Sequence, residues 1–322
     1  MKYRKLRSAC TWDGKNETFL LFFFLLGICS LFPLKVVSAE GLQSRSAVVM
    51  DAETGNVLYA KNPDLRLMPA STTKLMTALV VIERKELGDI VTISRNASKA
   101  APTKIGLRQG EWITVEALLY SALMKSANDA AVALAEAVAG SEEQFIYLMN
   151  KKAAALGLND TRFVNSNGLP GTGQYITAYD LAKLLREAIR HPLLREIIGT
   201  RVAEITTGDG KTVLVKNTNR LLWTDGEFLG GKTGYTREAR HCFVSAGERE
   251  GRTMIVALLG TPVRDFLWQE TAVLMDFGSR VLNNLEEPVV YLTKIDYDAA
   301  KIKKASYTKK HRPKKRVKKR HY

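Results

Sequence analysis

The order of strand-like and helix-like segments is the feature that most narrows the fold of this chain. Two short apolar runs, 47–50 and 57–60, flank Gly55-Asn56, which predicts a β-hairpin near the start. β-rich runs return only after residue 201, at 202–206, 212–216, 242–246 and 253–259. Strands near both ends with helices between them predict an α/β (α+β) protein, with one mostly antiparallel central sheet built from both ends of the chain and flanked by helices.

The middle of the chain carries the helix signals. Apolar periodicity and capping residues predict helices at about 115–125, 128–139, 141–155, 177–190 and 264–284. Residues 74–84 are apolar on nearly all sides, so the helix that they predict should be buried at the centre of the domain. Ser126 lies at the joint between two of these helices.

The N-terminus has the order of a secretory signal peptide. Basic residues precede an apolar stretch at 19–34, and Val37-Ser38-Ala39 forms a small-residue cleavage site. We therefore expect residues 1–39 to be a signal peptide cleaved after Ala39, and the protein to be exported to the periplasm or cell envelope. The apolar stretch is long for a signal peptide and short for a spanning helix, so an uncleaved anchor is the alternative.

The net charge of +15 belongs to one end of the chain. Residues 301–322 contain twelve Lys and Arg and no Asp or Glu, whereas the other 300 residues carry 36 Lys and Arg against 33 Asp and Glu. We expect a folded domain at 40–292 and a basic, disordered tail at 293–322. This composition suits a tether to anionic lipid or wall polymer, and the alternative is a tail that adds solubility and binds no partner. Nucleic acid is not expected as a partner of an exported protein.

Several function classes find no support. His191, His241, His311 and His321 are the only histidines, and none is placed as the general base of a Ser-His-Asp triad. Neither a metal nor a cofactor is expected, because the chain lacks paired metal-ligand spacings and a Gly-rich phosphate loop. Cys242 is the only cysteine after the leader, so no internal disulfide is expected, and we interpret it as a packed small hydrophobe.

Three short motifs supply what a serine acyl-transfer site without histidine needs. In Ser71-Thr-Thr-Lys74, a three-residue spacing on a helix puts a nucleophile beside a base. Lysine at its ordinary pKa of about 10.4 is protonated at neutral pH, but burial and a nearby cation such as Lys232 would lower that pKa. Taken alone, Ser-x-x-Lys is more often a core serine followed by a lysine that reaches to solvent.

The other two motifs add a group that can carry a proton and a positively charged group that can bind a carboxylate. Ser126 and Asn128 bracket Ala127, so their side chains should point to one side of an extended or turning segment. Lys232-Thr233-Gly234 should lie along a strand edge, with Gly234 allowing backbone and substrate to approach closely. In isolation, helix capping and a Gly-bounded hairpin with a surface lysine are the better explanations of these two triplets. The ordered trio favours catalysis.

These motifs resemble those of one family. Together with the runs 67–78, 165–170 and 231–236, they closely resemble the low-molecular-mass penicillin-binding proteins, which are serine-type D-alanyl-D-alanine carboxypeptidases. The resemblance covers about residues 44–285. It implies the fold of the DD-peptidase and serine β-lactamase superfamily, a mostly antiparallel sheet between helical layers.

The resemblance also implies roles for individual residues. Ser71 would attack the carbonyl between the terminal D-alanines of a peptidoglycan stem peptide while Lys74 takes its proton, and Ser126 with Lys232 would pass a proton to the departing amine. Asn128 would position the substrate, and Lys232, Thr233 and Gly234 would bind it. The backbone N–H groups of Ser71 and Tyr235 would form the oxyanion hole. Penicillins should acylate Ser71.

The sequence departs from the family pattern in the residues that hold the substrate carboxylate. Many relatives have Ala-Gly where this chain has Ala239-Arg240, and an Arg aligns with Leu267. Arg240 and Arg264 are the candidates to replace it. A DD-endopeptidase that cuts crosslinks with the same residues and a non-catalytic wall-binding scaffold remain as alternatives. A β-lactamase is disfavoured, since the Glu-x-x-Leu-Asn element of class A enzymes is absent.

Overall fold

The structure is a computed structural model that describes residues 41–293. The signal peptide, its cleavage after Ala39 and most of the basic tail lie outside these residues, so those three expectations stay predictions. The described residues contain most of the expected 40–292 domain and all three motifs.

A six-stranded sheet forms the centre of the described residues, in the order β10-β2-β1-β9-β8-β7. Its strands come from both ends of the chain: β1 Ser46–Asp51, β2 Val57–Lys61, β7 Phe228–Thr236, β8 Arg240–Arg249, β9 Arg252–Thr261 and β10 Val289–Tyr291. Four of the five pairs of neighbouring strands are antiparallel, as predicted for a mostly antiparallel sheet. The short strand β10 was not predicted from the sequence, and it pairs with β2 in parallel.

Two small sheets stand apart from the central one. β3 (Ile90–Thr92) pairs with β4 (Trp112–Thr114), and β5 (Val202–Thr206) pairs with β6 (Thr212–Lys216). The expectation of a single sheet was therefore wrong for 202–206 and 212–216, which form a separate hairpin. The outward side chains of that hairpin alternate with inward Ile205 and Val215. It is buried on one face only, whereas the central strands are covered on both.

Helices cover both faces of the central sheet. They are α1 Lys74–Ile82, α2 Arg95–Ser98, α3 Val115–Met124, α4 Asn128–Ala139, α5 Glu142–Ala155, α6 Ala178–Ala188, α7 Pro192–Gly199, α8 Leu221–Thr224 and α9 Arg264–Leu282. Side chains alternate along β1, so Val48 and Met50 join the core beneath α1 and α3–α7, whereas Ala47 and Val49 join the core beneath α9. Two cores on opposite faces of one sheet give the predicted layered fold.

The central helix α1 was predicted correctly. Eight of its nine residues are buried, from Lys74 to Val81, because α3, α4, α5 and α6 pack around it. Its N-terminus is therefore held rigidly inside the domain. Cys242 is buried in β8, as expected of a packed small hydrophobe. Within residues 41–293, no helix has the length and apolar character that crossing a membrane requires.

Candidate active site

Ser71 lies in a 3-10 turn, Ala70–Thr73, that leads directly into α1. Lys74 is the first residue of α1, and its Nζ is 3.0 Å from Ser71 Oγ. Ala70 has φ +48°, a left-handed conformation that L-residues seldom adopt, and such strain persists only where the surrounding structure enforces it. The predicted nucleophile and base are thus adjacent on a turn fixed by its neighbours.

The partners of the Lys74 amine suit a neutral base. Besides Ser71 Oγ, Nζ contacts Asn128 Oδ1 at 2.7 Å and Asn167 O at 2.6 Å. Both are carbonyl oxygens that can only accept hydrogen bonds, so they take two N–H donors of the amine. In a neutral amine the remaining position is the lone pair, which then faces the Ser71 hydroxyl. This arrangement allows Ser71 to donate its proton to Lys74.

The electrostatic surroundings favour that neutral form. Burial lowers the pKa of Lys74 well below its ordinary value, the positive charge of Lys232 lowers it further, and the carboxylate of Asp129 opposes both. Lys74 is fully buried. We therefore expect a large fraction of Lys74 to be deprotonated at a pH at which an exposed lysine would be charged.

Asn128 is held in one orientation by the loop between α2 and β4. Its Nδ2 donates to Ala101 O at 3.0 Å and Pro102 O at 3.1 Å, which leaves Oδ1 to accept from Lys74. The neighbouring Asp129 fixes the continuation of this loop, because its buried carboxylate accepts from the backbone N–H groups of residues 105, 106 and 107. Sequence reasoning missed this role of Asp129; its position after the second motif was the only signal.

The second lysine faces the second serine. Lys232 Nζ on β7 is 3.0 Å from Ser126 Oγ, and it donates to Thr233 O at 2.9 Å. Burial lowers the pKa of Lys232 to about 7. Ser126 has φ +66° in the connection between α3 and α4. The first and third motifs thus each contribute a lysine whose pKa is lowered and whose amine contacts a serine hydroxyl.

Gly234 and Thr233 shape the edge of the cleft. A Cβ on Gly234 would lie 2.8 Å from Ser71 N, so only glycine lets β7 approach the nucleophile this closely. Tyr235 follows on the same strand and is more than half exposed. Thr233 Oγ1 lies 2.6 Å from Thr218 Oγ1. Thr218 belongs to no recognisable motif, so sequence reasoning missed it.

The two candidate arginines occupy different places. Arg264 begins α9, and its Nη2 is 3.4 Å from Thr218 O, next to Thr233. Arg240 begins β8 opposite Thr236, with φ +61° and an exposed side chain. Both charges lower the pKa of His241, after the larger effect of burial. Leu267, the position at which the family resemblance led us to expect an Arg, is buried in the apolar core beneath α9.

Comparison with known proteins gives a family for this site. The sequence profile of the D-alanyl-D-alanine carboxypeptidases matches residues 34–263. The chain belongs to this family. It is 36% identical over 241 residues to carboxypeptidase DacF of Bacillus subtilis (strain 168), covering 73% of this chain and 62% of that protein. The chain thus spans about three fifths of that relative's length.

Further relatives and solved structures agree with this membership. DacC of Escherichia coli (strain K12) is 34% identical over 271 residues, which are 80% of this chain and 67% of that protein. A carboxypeptidase structure from Mycobacterium tuberculosis H37Rv superimposes with a TM-score of 0.72 at 31% identity, covering 76% of this chain and 94% of that one. The structure of the Streptomyces K15 DD-transpeptidase superimposes with a TM-score of 0.71 at 31% identity, covering 74% of this chain and 97% of that one. The fold predicted from the resemblance is confirmed.

In this member of the carboxypeptidase family, residues 165–168 complete the site by contacting Lys74 and Thr77 of α1. Asn167 O accepts from Lys74, and Ser166 O accepts from Thr77 of α1 at 2.6 Å. Glu142 at the start of α5 anchors the segment by accepting from Ser166 N and Oγ. The sequence marked this run only through its resemblance to the family. The structure shows that it supplies a partner of Lys74.

We expect Gly168→Ala to destabilise the site strongly. A Cβ at Gly168 would lie 1.8 Å from Ala70 O, and the residue has φ +86°. Overlap with backbone should lower the free energy of unfolding by at least about 3 kcal/mol, measured by urea titration. Gly110→Ala is the matched control, because Gly110 has φ +81° with nothing within 4 Å of its Cβ, so only about 1 to 2 kcal/mol should be lost. Equal losses would contradict the steric explanation.

Proposed function

We propose that this protein is an exported serine DD-carboxypeptidase that removes the terminal D-alanine from peptidoglycan stem peptides through a Ser71 acyl-enzyme. The observation that carries the proposal is the arrangement at Lys74: a buried amine with a lowered pKa, two carbonyl acceptors and the Ser71 hydroxyl at 3.0 Å. Such an amine can accept the proton of an attacking serine without histidine. The names of the relatives support the substrate class.

Acylation uses the first two motifs and β7. Ser71 Oγ attacks the carbonyl carbon of the penultimate D-alanine while its proton moves to Lys74. The N–H groups of Ser71 and Tyr235 stabilise the oxyanion, a contribution of about 3 to 4 kcal/mol per donor in comparable sites. The C–N bond then breaks, and Ser126 gives its hydroxyl proton to the departing amine while it takes a proton from Lys232, whose amine is 3.0 Å away. Water hydrolyses the ester and restores Ser71.

Substrate binding follows from the remaining groups. Lys232 and Thr233 face the terminal carboxylate, and Asn128 both orients Lys74 and positions the substrate amide. Leu267 stands where an arginine that binds the substrate carboxylate was expected. Arg264 is the better supported replacement for that arginine, since its guanidinium reaches Thr218, which contacts Thr233. Arg240 lies at the turn end of the β7–β8 pair, opposite Thr236, and has less support. Penicillins carry a carboxylate and a reactive carbonyl in the same relation, so we expect them to acylate Ser71.

D-Alanine release tests the proposal. We expect the protein to release D-alanine from diacetyl-Lys-D-Ala-D-Ala, and a penicillin to add once to the intact mass of the protein, with the adduct mapping to the peptide that contains Ser71. Turnover without a penicillin adduct would point to a different nucleophile. A folded protein that neither releases D-alanine nor binds penicillin would favour the scaffold alternative.

A DD-endopeptidase remains the second candidate, with one specific observation in its favour. The D-alanyl-D-alanine endopeptidase of Pseudomonas aeruginosa (strain PAO1) is 39% identical over 212 residues, covering 64% of this chain and 67% of that protein. Both activities use the same bond chemistry and differ in the leaving group. Release of acceptor peptide from a crosslinked muropeptide distinguishes them.

We also propose that the basic tail holds the exported enzyme at an anionic surface. The twelve cations at 301–322 each contribute roughly 1 kcal/mol near a charged membrane. Deleting 301–322 should release the protein from phosphatidylglycerol vesicles at low salt and leave turnover of soluble peptide unchanged. If the shortened protein still sediments with the vesicles, the tail is not the tether.

A further inference from the structure

A surface cavity of about 470 Å³ adjoins the Thr233 side of the site. It begins at Thr218, whose hydroxyl is 2.6 Å from that of Thr233. The Thr218 N–H also donates to Met124 O at 3.2 Å, two residues before Ser126. Thr218 therefore belongs to the wall of the cavity and contacts the site on two sides. The cavity is therefore linked to the site through the contact between Thr218 and Thr233.

The lining of this cavity is aromatic and cationic. Trp223 on α8 is 46% exposed, whereas Trp268 on α9 is largely buried and packs edge-on against Phe243 with ring centroids 5.1 Å apart. The Arg264 guanidinium lies 5.9 Å from the centre of the Trp268 ring. Trp268 is thus a fixed wall, and Trp223 offers an exposed face to a ligand. Indole rings of this kind bind alkyl chains and amide planes.

The charges of the lining favour an acidic ligand. Arg220 and Arg264 line the cavity together with a single carboxylate, Asp265. Arg220 Nη1 and Asp265 Oδ1 are 3.8 Å apart in an ion pair whose two side chains are both mostly exposed, so the pair is weak and open to exchange. An arginine whose ion pair is this weak can instead form two parallel hydrogen bonds to the carboxylate of a ligand. A ligand with an apolar stem and an acidic end fits this lining.

The position of the cavity indicates which part of a substrate it would meet. In the proposed function, Ser71 attacks the scissile carbonyl, and Lys232 with Thr233 holds the carboxylate of the leaving residue. Thr218 lines the cavity, and its hydroxyl contacts that of Thr233, the residue proposed to hold this carboxylate. Whatever is attached to the leaving amino acid, rather than to the acyl part, would enter it.

We propose that this cavity is a binding subsite for a leaving D-amino acid that carries an extended acidic side chain, as the acceptor strand of a peptide crosslink does. The inference rests on the proposed function and names its substrate class more closely. The reaction is the same: the Ser71 ester forms, the C–N bond breaks, the extended amine leaves with one added proton, and water hydrolyses the ester. No co-reactant other than water is required.

Two peptides that differ only in the leaving residue test the proposal. The short peptide is diacetyl-Lys-D-Ala-D-Ala, and the extended peptide is diacetyl-Lys-D-Ala-D-Lys with a succinyl group on the side-chain amine of the D-Lys. The quantity measured is kcat/KM for the extended peptide divided by kcat/KM for the short one. We expect Trp223→Ala to lower this ratio about tenfold, the usual effect of losing one aromatic contact. Trp112→Ala is the matched control, since Trp112 is 49% exposed on β4 and does not line the cavity, and it should keep the wild-type ratio.

The charge of the side chain provides a second test. Replacing succinyl by acetyl removes the acidic end, and Arg220→Gln should lower kcat/KM several-fold for the succinyl peptide relative to the acetyl peptide. The proposal is overturned if Trp223→Ala leaves the ratio unchanged or changes it no more than Trp112→Ala does. Failure of the wild-type protein to hydrolyse even the short peptide would overturn the proposed function, and this inference with it.

Discussion

Ser71→Ala is expected to abolish D-alanine release, with kcat/KM for diacetyl-Lys-D-Ala-D-Ala falling by at least about 10⁴-fold. Alanine cannot form the ester, and the neighbouring hydroxyl of Ser126 contacts Lys232 rather than Lys74. The same substitution should remove the penicillin adduct from the intact mass. Steady-state kinetics and mass spectrometry on the purified variant measure both losses.

Ser245→Ala is the control for this substitution. Ser245 is a buried serine of β8 whose hydroxyl donates to Gly230 O at 2.8 Å, so its loss removes one hydrogen bond without touching the site. We expect a cost of about 1 kcal/mol in the free energy of unfolding and turnover close to that of the wild type. A penicillin adduct that persists in Ser71→Ala and maps to Ser126 would show that the nucleophile had been assigned to the wrong motif.

The sequence predicted the parts of this fold that depend on local periodicity. The apolar helix after Ser71, the hairpin around Gly55 and the long strands β8 and β9 each carry their own pattern, and each was found. Which strands pair with one another could not be predicted from local periodicity. The runs at 202–206 and 212–216 have the alternation of any half-buried strand, and nothing in that pattern distinguishes a separate hairpin from an extension of the central sheet.

The site shows the same division. The motifs bring Ser71, Lys74, Ser126, Asn128 and Lys232 within reach because each motif is short and sits at the start or edge of an element. The partners that orient them are not in the motifs. Asn167 contributes a backbone carbonyl, and Thr218 contributes a hydroxyl from a loop after β6. Contacts of this kind depend on tertiary packing, so a single sequence does not reveal them.

Lys74→Met is expected to lower the rate of acylation by penicillin about 10³-fold, measured by stopped-flow with a chromogenic β-lactam. Methionine is similar to lysine in length but has no amine, so Ser71 loses its proton acceptor while the core beneath α1 stays filled. Lys61→Met is the matched control. Burial also lowers the pKa of Lys61, but its amine donates to Leu42 O, and acylation should be unchanged.

The dependence of acylation on pH tests whether Lys74 acts as a neutral base. Acylation should speed up as pH rises and Lys74 loses its proton. The positive charge of Lys232 lowers the pKa of Lys74, so Lys232→Met should move this rising limb to higher pH. The carboxylate of Asp129 raises the same pKa, so Asp129→Asn should move the limb to lower pH. Opposite shifts are expected only if both charges act on the group that titrates, as they do on Lys74. A limb that stays in place in both variants would mean that another group takes the proton of Ser71.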